Sequence, residues 1–351
     1  MTDFLKNELK AGEAFLISSP ENRRYYTDFE ASDGYLLVTP KKAVLFADGR
    51  YIEAAQGKAK NCDEVRLLKK VSEDVKSALE AEGITKVYTE EEKLTLREFK
   101  ALEKAIELEL APEKTDELTR NLRRKKSLEE KERIIKAQRI AEGAFEHILS
   151  FIKEGVTEKE IRLELEFYML KNGADGLSFE TIAISGKNTS MPHGVPTGKP
   201  VEKGDFITMD YGALYRGYHS DMTRTVALGY VRDEQEKVYN TVLEAQKAAI
   251  EAVIPGAKCA GADAAARQII EKAGYAEFFT HGTGHGVGID IHEPPTVSYR
   301  SEETLRPGDV VTAEPGIYLP GKFGVRIEDM LYVTENSAEN LTEAPRNLIV
   351  L

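Results

Sequence analysis

The chain has 351 residues, enough for two domains, and its 41% apolar share can build a core in each. With 48 basic and 60 acidic side chains its net charge is −12, which argues against nucleic acid or an anionic membrane as the main partner. Two distant cysteines, Cys62 and Cys259, form no disulfide framework, and no apolar run approaches membrane-spanning length. The opening MTDFLKNELKAGEAFLI lacks a basic segment followed by a long apolar stretch, so a cytoplasmic protein is expected.

Residues 1–120 read as an α/β domain. AFLISS from Ala14, GYLLVT from Gly34, KAVLFA from Lys42 and KVYTE from Lys86 have strand character. VSEDVKSALEAEG from Val71 and LREFKALEKAIE from Leu96 have helical periodicity. A charged stretch with a turn-prone Pro112 follows, and the boundary is expected between residues 112 and 127. Its RRKK run, Arg123 to Lys126, reads as a solvated connector. Ser127 and Glu130 then fit a capping box, so a new helix is expected to start there. It runs to about Gly155, and a second begins at Thr157. Strands and loops lead to Gly229; then come helical blocks DEQEKVYNTVLEAQKAAIEAV and GADAAARQIIEKAG, and final strands. The order helix, helix, hairpin thus occurs twice, which suggests two related α+β halves with a site between them.

The hairpins repeat one motif. GDFITMD ends at Asp210 and GDVVTAE at Glu314; each is Gly-Asp, two apolar residues, Thr, an apolar residue and a carboxylate. Each is followed, after a Gly-containing turn, by a run with further acids: Asp221 in GYHSDMTRTVAL, and Glu328 with Asp329 in GVRIEDMLYV. Acids in apolar strands are costly to bury unless a positive group compensates them. Converging carboxylates repel and take up protons, which two divalent cations would relieve.

Of the six histidines, five lie between residues 193 and 292, and His281, His285 and His292 share the stretch THGTGHGVGIDIHEPP. Glycines on both sides of His285 allow close backbone approach and make poor core packing, which favours a ligand or chemical role. Carboxylates with one imidazole form a hard donor set that suits Mn²⁺, and also Co²⁺ or Zn²⁺. Two such ions can share a bridging carboxylate and generate a hydroxide at neutral pH. His219 shares the strand face of Asp221, His147 falls in a helix, and Tyr211 and Tyr215 suit either core or pocket wall.

The motifs SGKNTSMPHG, TMDYGALYRGYHSDMTRT, HGTGHGVGIDIHEPP, TAEPGIY and GVRIEDM, in that order, closely resemble the Xaa-Pro peptidases, aminopeptidase P and prolidase, of the methionine-aminopeptidase-like metallopeptidases. The resemblance covers residues 127–351 and extends more loosely to NRRYYTDFEASDGYLLV and LFADGRY. It implies a creatinase-like α/β domain over 1–120 and a pita-bread catalytic domain with an internal pseudo-two-fold repeat over 127–351. It implies metal ligands Asp210, Asp221, His285, Glu314 and Glu328, with Asp221 and Glu328 bridging, and it alone selects Glu328 over Asp329. Glu314 would handle the proton, His193 would steady the oxyanion, His281 and His292 would line the proline side, and Arg326 would support a ligand. The substrates implied are small peptides with proline second, hydrolysed by a metal-bridging hydroxide in a homodimer whose N-domain caps the partner's site. Whether the activity is that of a dipeptidase or an aminopeptidase stays open.

Three alternatives share the fold. A methionine aminopeptidase has the five ligands but generally lacks a domain like 1–120. A creatinase-type amidinohydrolase does not keep them. A non-catalytic peptide-binding module tends to lose both ligands and histidines.

Overall fold

The computed structural model describes residues 1–108, 110–111 and 114–351, so Pro112 lies outside the described residues. The chain divides into two compact units, Met1–Arg123 and Arg124–Leu351. In chain order the first holds helix α1 (Thr2–Asn7), strand β1 (Glu13–Ile17), α2 (Pro20–Thr27), β2 (Tyr35–Val38), β3 (Ala43–Ala47), α3 (Ile52–Lys58), β4 (Glu64–Leu67), α4 (Val71–Ala81), β5 (Lys86–Thr89), α5 (Leu96–Ile106) and β6 (Leu110–Ala111). Helix α6 (Thr115–Arg124) ends at the boundary. The sheet order is β4-β3-β2-β1-β5-β6, with β2 antiparallel to both neighbours and the outer pairs parallel. The four expected strands are β1, β2, β3 and β5, and the two expected helices are α4 and α5. Helix α2 was not expected, although Ser19 caps it through Asn22 N and Pro20 opens its first turn. The edge strand β4, EVRL, is polar and half-exposed, which hides it from a search for apolar runs.

The second unit begins with α7 (Leu128–Phe151) and α8 (Glu158–Lys171). Both open with capping boxes, Ser127 with Glu130 and Thr157 with Glu160. Then follow β7 (Gly176–Leu177), β8 (Ile182–Ser185), β9 (Phe206–Tyr211), β10 (Ala213–Tyr215), β11 (Tyr218–His219) and β12 (Met222–Ala227). Helices α9 (Asp233–Ala252) and α10 (Cys259–Lys272) lead into the second set. That set is β13 (Gly284–Gly286), β14 (Glu293–Val297), β15 (Val310–Ala313), β16 (Gly316–Leu319), β17 (Phe323–Arg326), β18 (Asp329–Val333) and β19 (Ala338–Asn340). Among the described residues no helix is long and apolar enough to cross a membrane.

Strand periodicity explains how the repeated motif works. Ile207 and Met209 of β9 pack in one core with Ile148 of α7 and Leu165 of α8. Val311 and Ala313 of β15 pack in another with Val242 of α9 and Ala266 of α10. The alternate residues, Thr208 with Asp210 and Thr312 with Glu314, therefore lie on the opposite faces of their strands. The Gly-Asp halves of the motifs build matching turns. Gly204 and Gly308 take positive φ, 85° and 98°, and each following aspartate accepts from the backbone three residues earlier.

Two expectations change. The strands of each hairpin are not joined directly: the small pairs β10–β11 and β16–β17 stand between them. The second acids also do not occupy matching positions. Asp210 pairs with Thr223, whereas the register Ala313–Asp329, carried one step further, sets Glu314 across from Glu328. Thr223 therefore corresponds to Glu328, and Asp221, two residues earlier, to Arg326.

The RRKK run is not a solvated connector. Arg123, Arg124 and Lys126 are buried, and only Lys125 is exposed. Arg124 clamps Asp309 through Nε and Nη2 at 2.9 and 2.8 Å, and Lys126 pairs with buried Glu293. These acids lie far along the chain, so a local reading of charge could not find them.

Asp329 follows Glu328 and so faces the other side of the strand, where its Oδ1 pairs with Arg224 Nη2 at 2.7 Å, both groups fully buried. Replacing Asp329 with Ala leaves a buried guanidinium uncompensated and should destabilise the second unit by about 3–5 kcal/mol. Denaturant unfolding followed by tyrosine fluorescence would read this; a loss below about 1 kcal/mol would show that the pair contributes no such constraint.

Candidate metal centre

Asp210, Asp221, His285, Glu314 and Glu328 line one cavity of about 500 Å³, together with His193, His281, His292 and Arg326. Asp221, His285 and Glu328 each offer a donor atom, and the three atoms lie within 4.8 Å of one another. His285 Nε2 stands 3.5 Å from Asp221 Oδ2 and 3.4 Å from Glu314 Oε1. Its Nδ1 lies 3.1 Å from Gly286 O, so the N–H is placed there and Nε2 presents its lone pair to the acids. The flanking glycines serve close approach: a Cβ on Gly284 would lie 2.1 Å from Thr312 O, and one on Gly286 would lie 2.3 Å from Glu293 O.

The acids are strained electrostatically. Burial, then Asp210 and Glu314, holds the Asp221 carboxyl well above the usual carboxylate range. Burial, then Asp221, does the same to Glu328. Burial pushes Glu314 up to about 8, with Arg326 opposing the shift. Burial, then His292, brings His285 down to about 4, so it is neutral and fit to ligate. Asp210 Oδ1 is buried with no hydrogen-bond partner among the described residues, and an acceptor in that state suits a cation.

Arg326 is the guanidinium at the centre of this cluster. Its Nη2 donates to Asp210 Oδ2 at 2.6 Å, its Nε to Thr223 Oγ1 at 3.1 Å, and its Nη1 to Tyr318 OH at 2.8 Å and Pro192 O at 3.3 Å. Tyr318 OH in turn reaches His281 Nε2 at 2.8 Å, while His281 Nδ1 faces Gly282 O at 2.8 Å. Burial, then Arg326, brings His281 down to about 4, so it accepts from Tyr318. Both its nitrogens are in use. His292 packs edge-on against His285, ring centroids 4.3 Å apart. His193 is exposed to the cavity and makes no hydrogen bond among the described residues.

Residues 132–335 match the model of metallopeptidase family M24, and residues 8–125 match that of the creatinase/prolidase N-terminal domain. The chain belongs to metallopeptidase family M24. It is 38% identical over 344 residues to an Xaa-Pro dipeptidase of Pyrococcus furiosus, covering 95% of this chain and 94% of that protein. An Xaa-Pro dipeptidase structure from Bacillus anthracis is 41% identical with a TM-score of 0.94, covering 100% of this chain and 98% of that one. An X-Pro aminopeptidase structure from Thermotoga maritima is 36% identical with a TM-score of 0.91, covering 99% and 100%. The fold is thus the expected one, a creatinase-like unit followed by a pita-bread unit, and the protein is a metallopeptidase dependent on a divalent metal.

Several supports of this metallopeptidase site were not read from sequence. Glu158, fully buried at the start of α8, accepts from Ser185, Asn188 and Thr197 and so fixes the segment bearing His193. Asp263 grips Arg267 and Thr283, and Arg267 donates to His281 O, which fixes the segment bearing His281. Tyr318 stood in a quoted motif, but its link between Arg326 and His281 depends on pairing across β16 and β17. His219 turns away from the cavity to Ser178, with its backbone N–H bonded to Gly288 O. Burial lowers its pKa. Tyr211 is core, with its hydroxyl on Ala141 O; His147 pairs with Glu164 on α8.

A carboxyl whose pKa rises on folding binds a proton in the folded state. The stability it contributes is fully present below its ordinary value, 4.5 for Glu314, and is lost as the pH rises through about 8. Above about pH 7 the buried histidines are neutral folded or unfolded, so the metal-stripped protein should melt at progressively lower temperature from about pH 7 to about pH 8.5 at constant ionic strength. A divalent cation, standing in for the protons, should flatten that slope. Calorimetry showing a melting temperature that rises over the window would contradict the electrostatic account.

Proposed function

We propose that this metallopeptidase is an exopeptidase that hydrolyses the bond between an N-terminal residue and a following proline. In this reading Asp210, Asp221, His285, Glu314 and Glu328 would hold two divalent cations, Mn²⁺ by preference. The observation that carries it is the convergence of these five side chains on one cavity where an acceptor of Asp210 is buried and unsatisfied. The activities named for the relatives, Xaa-Pro dipeptidase and X-Pro aminopeptidase, support the proline preference.

Bound cations would supply an acidified water and polarise the scissile carbonyl. The chain's own residues do the rest. Arg326 fixes the orientation of Asp210, and Thr223 fixes Glu328 through Oγ1 to Oε2 at 2.7 Å. Glu314 receives a proton from the attacking water and returns it to the leaving proline nitrogen. His193, with both ring nitrogens uncommitted, donates to the developing oxyanion. His281 acts through its ring and through Tyr318, so it is a positioning residue and a wall for the proline, as is His292 beside His285. A bond to proline has no N–H. A site that grips the free amino terminus and packs the ring, against groups such as Ile291, does not need one.

Replacing Asp221 with Asn should abolish hydrolysis and lower the bound metal while the fold persists. Full metal content with wild-type turnover would remove the two-metal assignment. Replacing His193 with Ala should lower kcat by about a hundredfold with a smaller change in KM; an unchanged kcat takes His193 out of the mechanism. The activity itself is tested by hydrolysis of an Xaa-Pro dipeptide and an Xaa-Pro-Xaa tripeptide with Mn²⁺ against EDTA. Metal-dependent cleavage at the proline is expected, and cleavage of neither peptide by metal-loaded protein would overturn the substrate assignment.

A further inference from the structure

Among the histidines facing the cavity, His292 is held differently from its neighbours. His281 has both ring nitrogens engaged, and His285 has its Nδ1 on Gly286 O. The His292 ring makes no hydrogen bond among the described residues and packs edge-on against His285. The place of that ring is therefore set by the backbone that carries it, the loop of residues 287–292 between β13 and β14.

Glu293 closes this loop. It pairs with Gly286 across the irregular register of β13 and β14, and its side chain is only 5% exposed. The carboxylate folds back over the loop: a Cβ at Gly288 would run into it, and Asp290 N stands 3.5 Å from its Oε2. A carboxylate buried in this way needs a counter-charge. Lys126, 1% exposed, supplies it at Oε1. The lysine is itself fixed, its backbone N–H lying 3.1 Å from Arg124 O and 3.0 Å from Gly308 O, and Arg124 is clamped on Asp309. Neither Lys126 nor Glu293 lines the cavity. A buried ion pair contributes little net stability, because desolvation offsets much of the attraction. Its distinct contribution is geometric: a short charge-assisted bond narrows the placements open to Glu293 and to the residue before it.

We infer that Lys126, acting through Glu293, is a positioning residue for His292 and holds that imidazole against His285 at the cavity wall. The inference deepens the peptidase reading above and rests on it for the kinetic part of its test.

The full chain is loaded with Zn²⁺, which is diamagnetic, and carries ¹³C in its histidine rings. Six ring signals are expected, and H292A identifies the one from His292. K126M/E293Q removes both charges together and keeps the side-chain bulk, an exchange that buried pairs often tolerate. It should shift or broaden the His292 signal and leave those of His147 and His193 in place. It should also lower kcat/KM for an Xaa-Pro peptide by about tenfold. In an H292A background the same pair of substitutions should lower it by less than about twofold further, because the effect passes through that ring. A general loss of structure would act equally in both backgrounds. An unchanged His292 signal, a collective shift of all six signals, an unchanged kcat/KM, or equal falls with and without His292 overturns the inference. Should the neutral pair not fold, E293D, which keeps the charge and shortens its reach, is read in the same way. Failure of the wild-type chain to cleave the peptide would instead refute the substrate assignment, and the His292 signal would still decide the inference.

Discussion

Four carboxylates and a single central guanidinium share one poorly solvated cavity, and the rest of the catalytic unit is organised around that imbalance. Burial first, and the neighbouring carboxylates after it, hold Asp221, Glu314 and Glu328 above the usual carboxylate range, so without cations protons restore the balance. The cluster persists because its strands are secured from the other side. Ile207, Met209, Val311 and Ala313 bury their side chains under helices, and strand alternation then gives the intervening acids no alternative to the inner face. Apolar burial on one face thus stabilises an electrostatically unfavourable arrangement on the other.

The two halves contribute unequally to the site. Repeat symmetry delivers Asp210 and Glu314 from matching positions, but the strand register sets Thr223 where the other half has Glu328, and Asp221 where the other half has Arg326. The unmatched hydroxyl and guanidinium meet: Arg326 Nε donates to Thr223 Oγ1, which donates to Glu328 Oε2. That buried hydroxyl links the two halves behind the acids. Loops carrying the histidines are held by buried acids further out, Glu158 for His193 and Asp263 through Arg267 for His281.

Much of this was legible in the sequence because its causes are local. Capping boxes at Ser127 and Thr157, the alternation of GDFITMD and GDVVTAE, and the glycines around His285 each act within a few residues. What stayed hidden depends on partners distant in sequence. Arg124 and Lys126 looked like surface charge because Asp309 and Glu293 lie far along the chain. Tyr318 looked like a strand residue until the chain brought it between Arg326 and His281. The register offset between the two halves escaped because motif alignment matches letters, whereas pairing is fixed by the inserted strands β10–β11 and β16–β17. Asp329 and Glu328 were ambiguous in sequence and are separated in space by one step of a strand.

The central claim is that this acid cluster is built to hold two cations. The most direct measurement is equilibrium dialysis of the metal-stripped chain against Mn²⁺, with metal and protein both quantified at saturation. Two ions bound per chain is the predicted result. Saturation at one ion, or none, would contradict the account, because one dication would leave part of the carboxylate charge of Asp210, Asp221, Glu314 and Glu328 unbalanced.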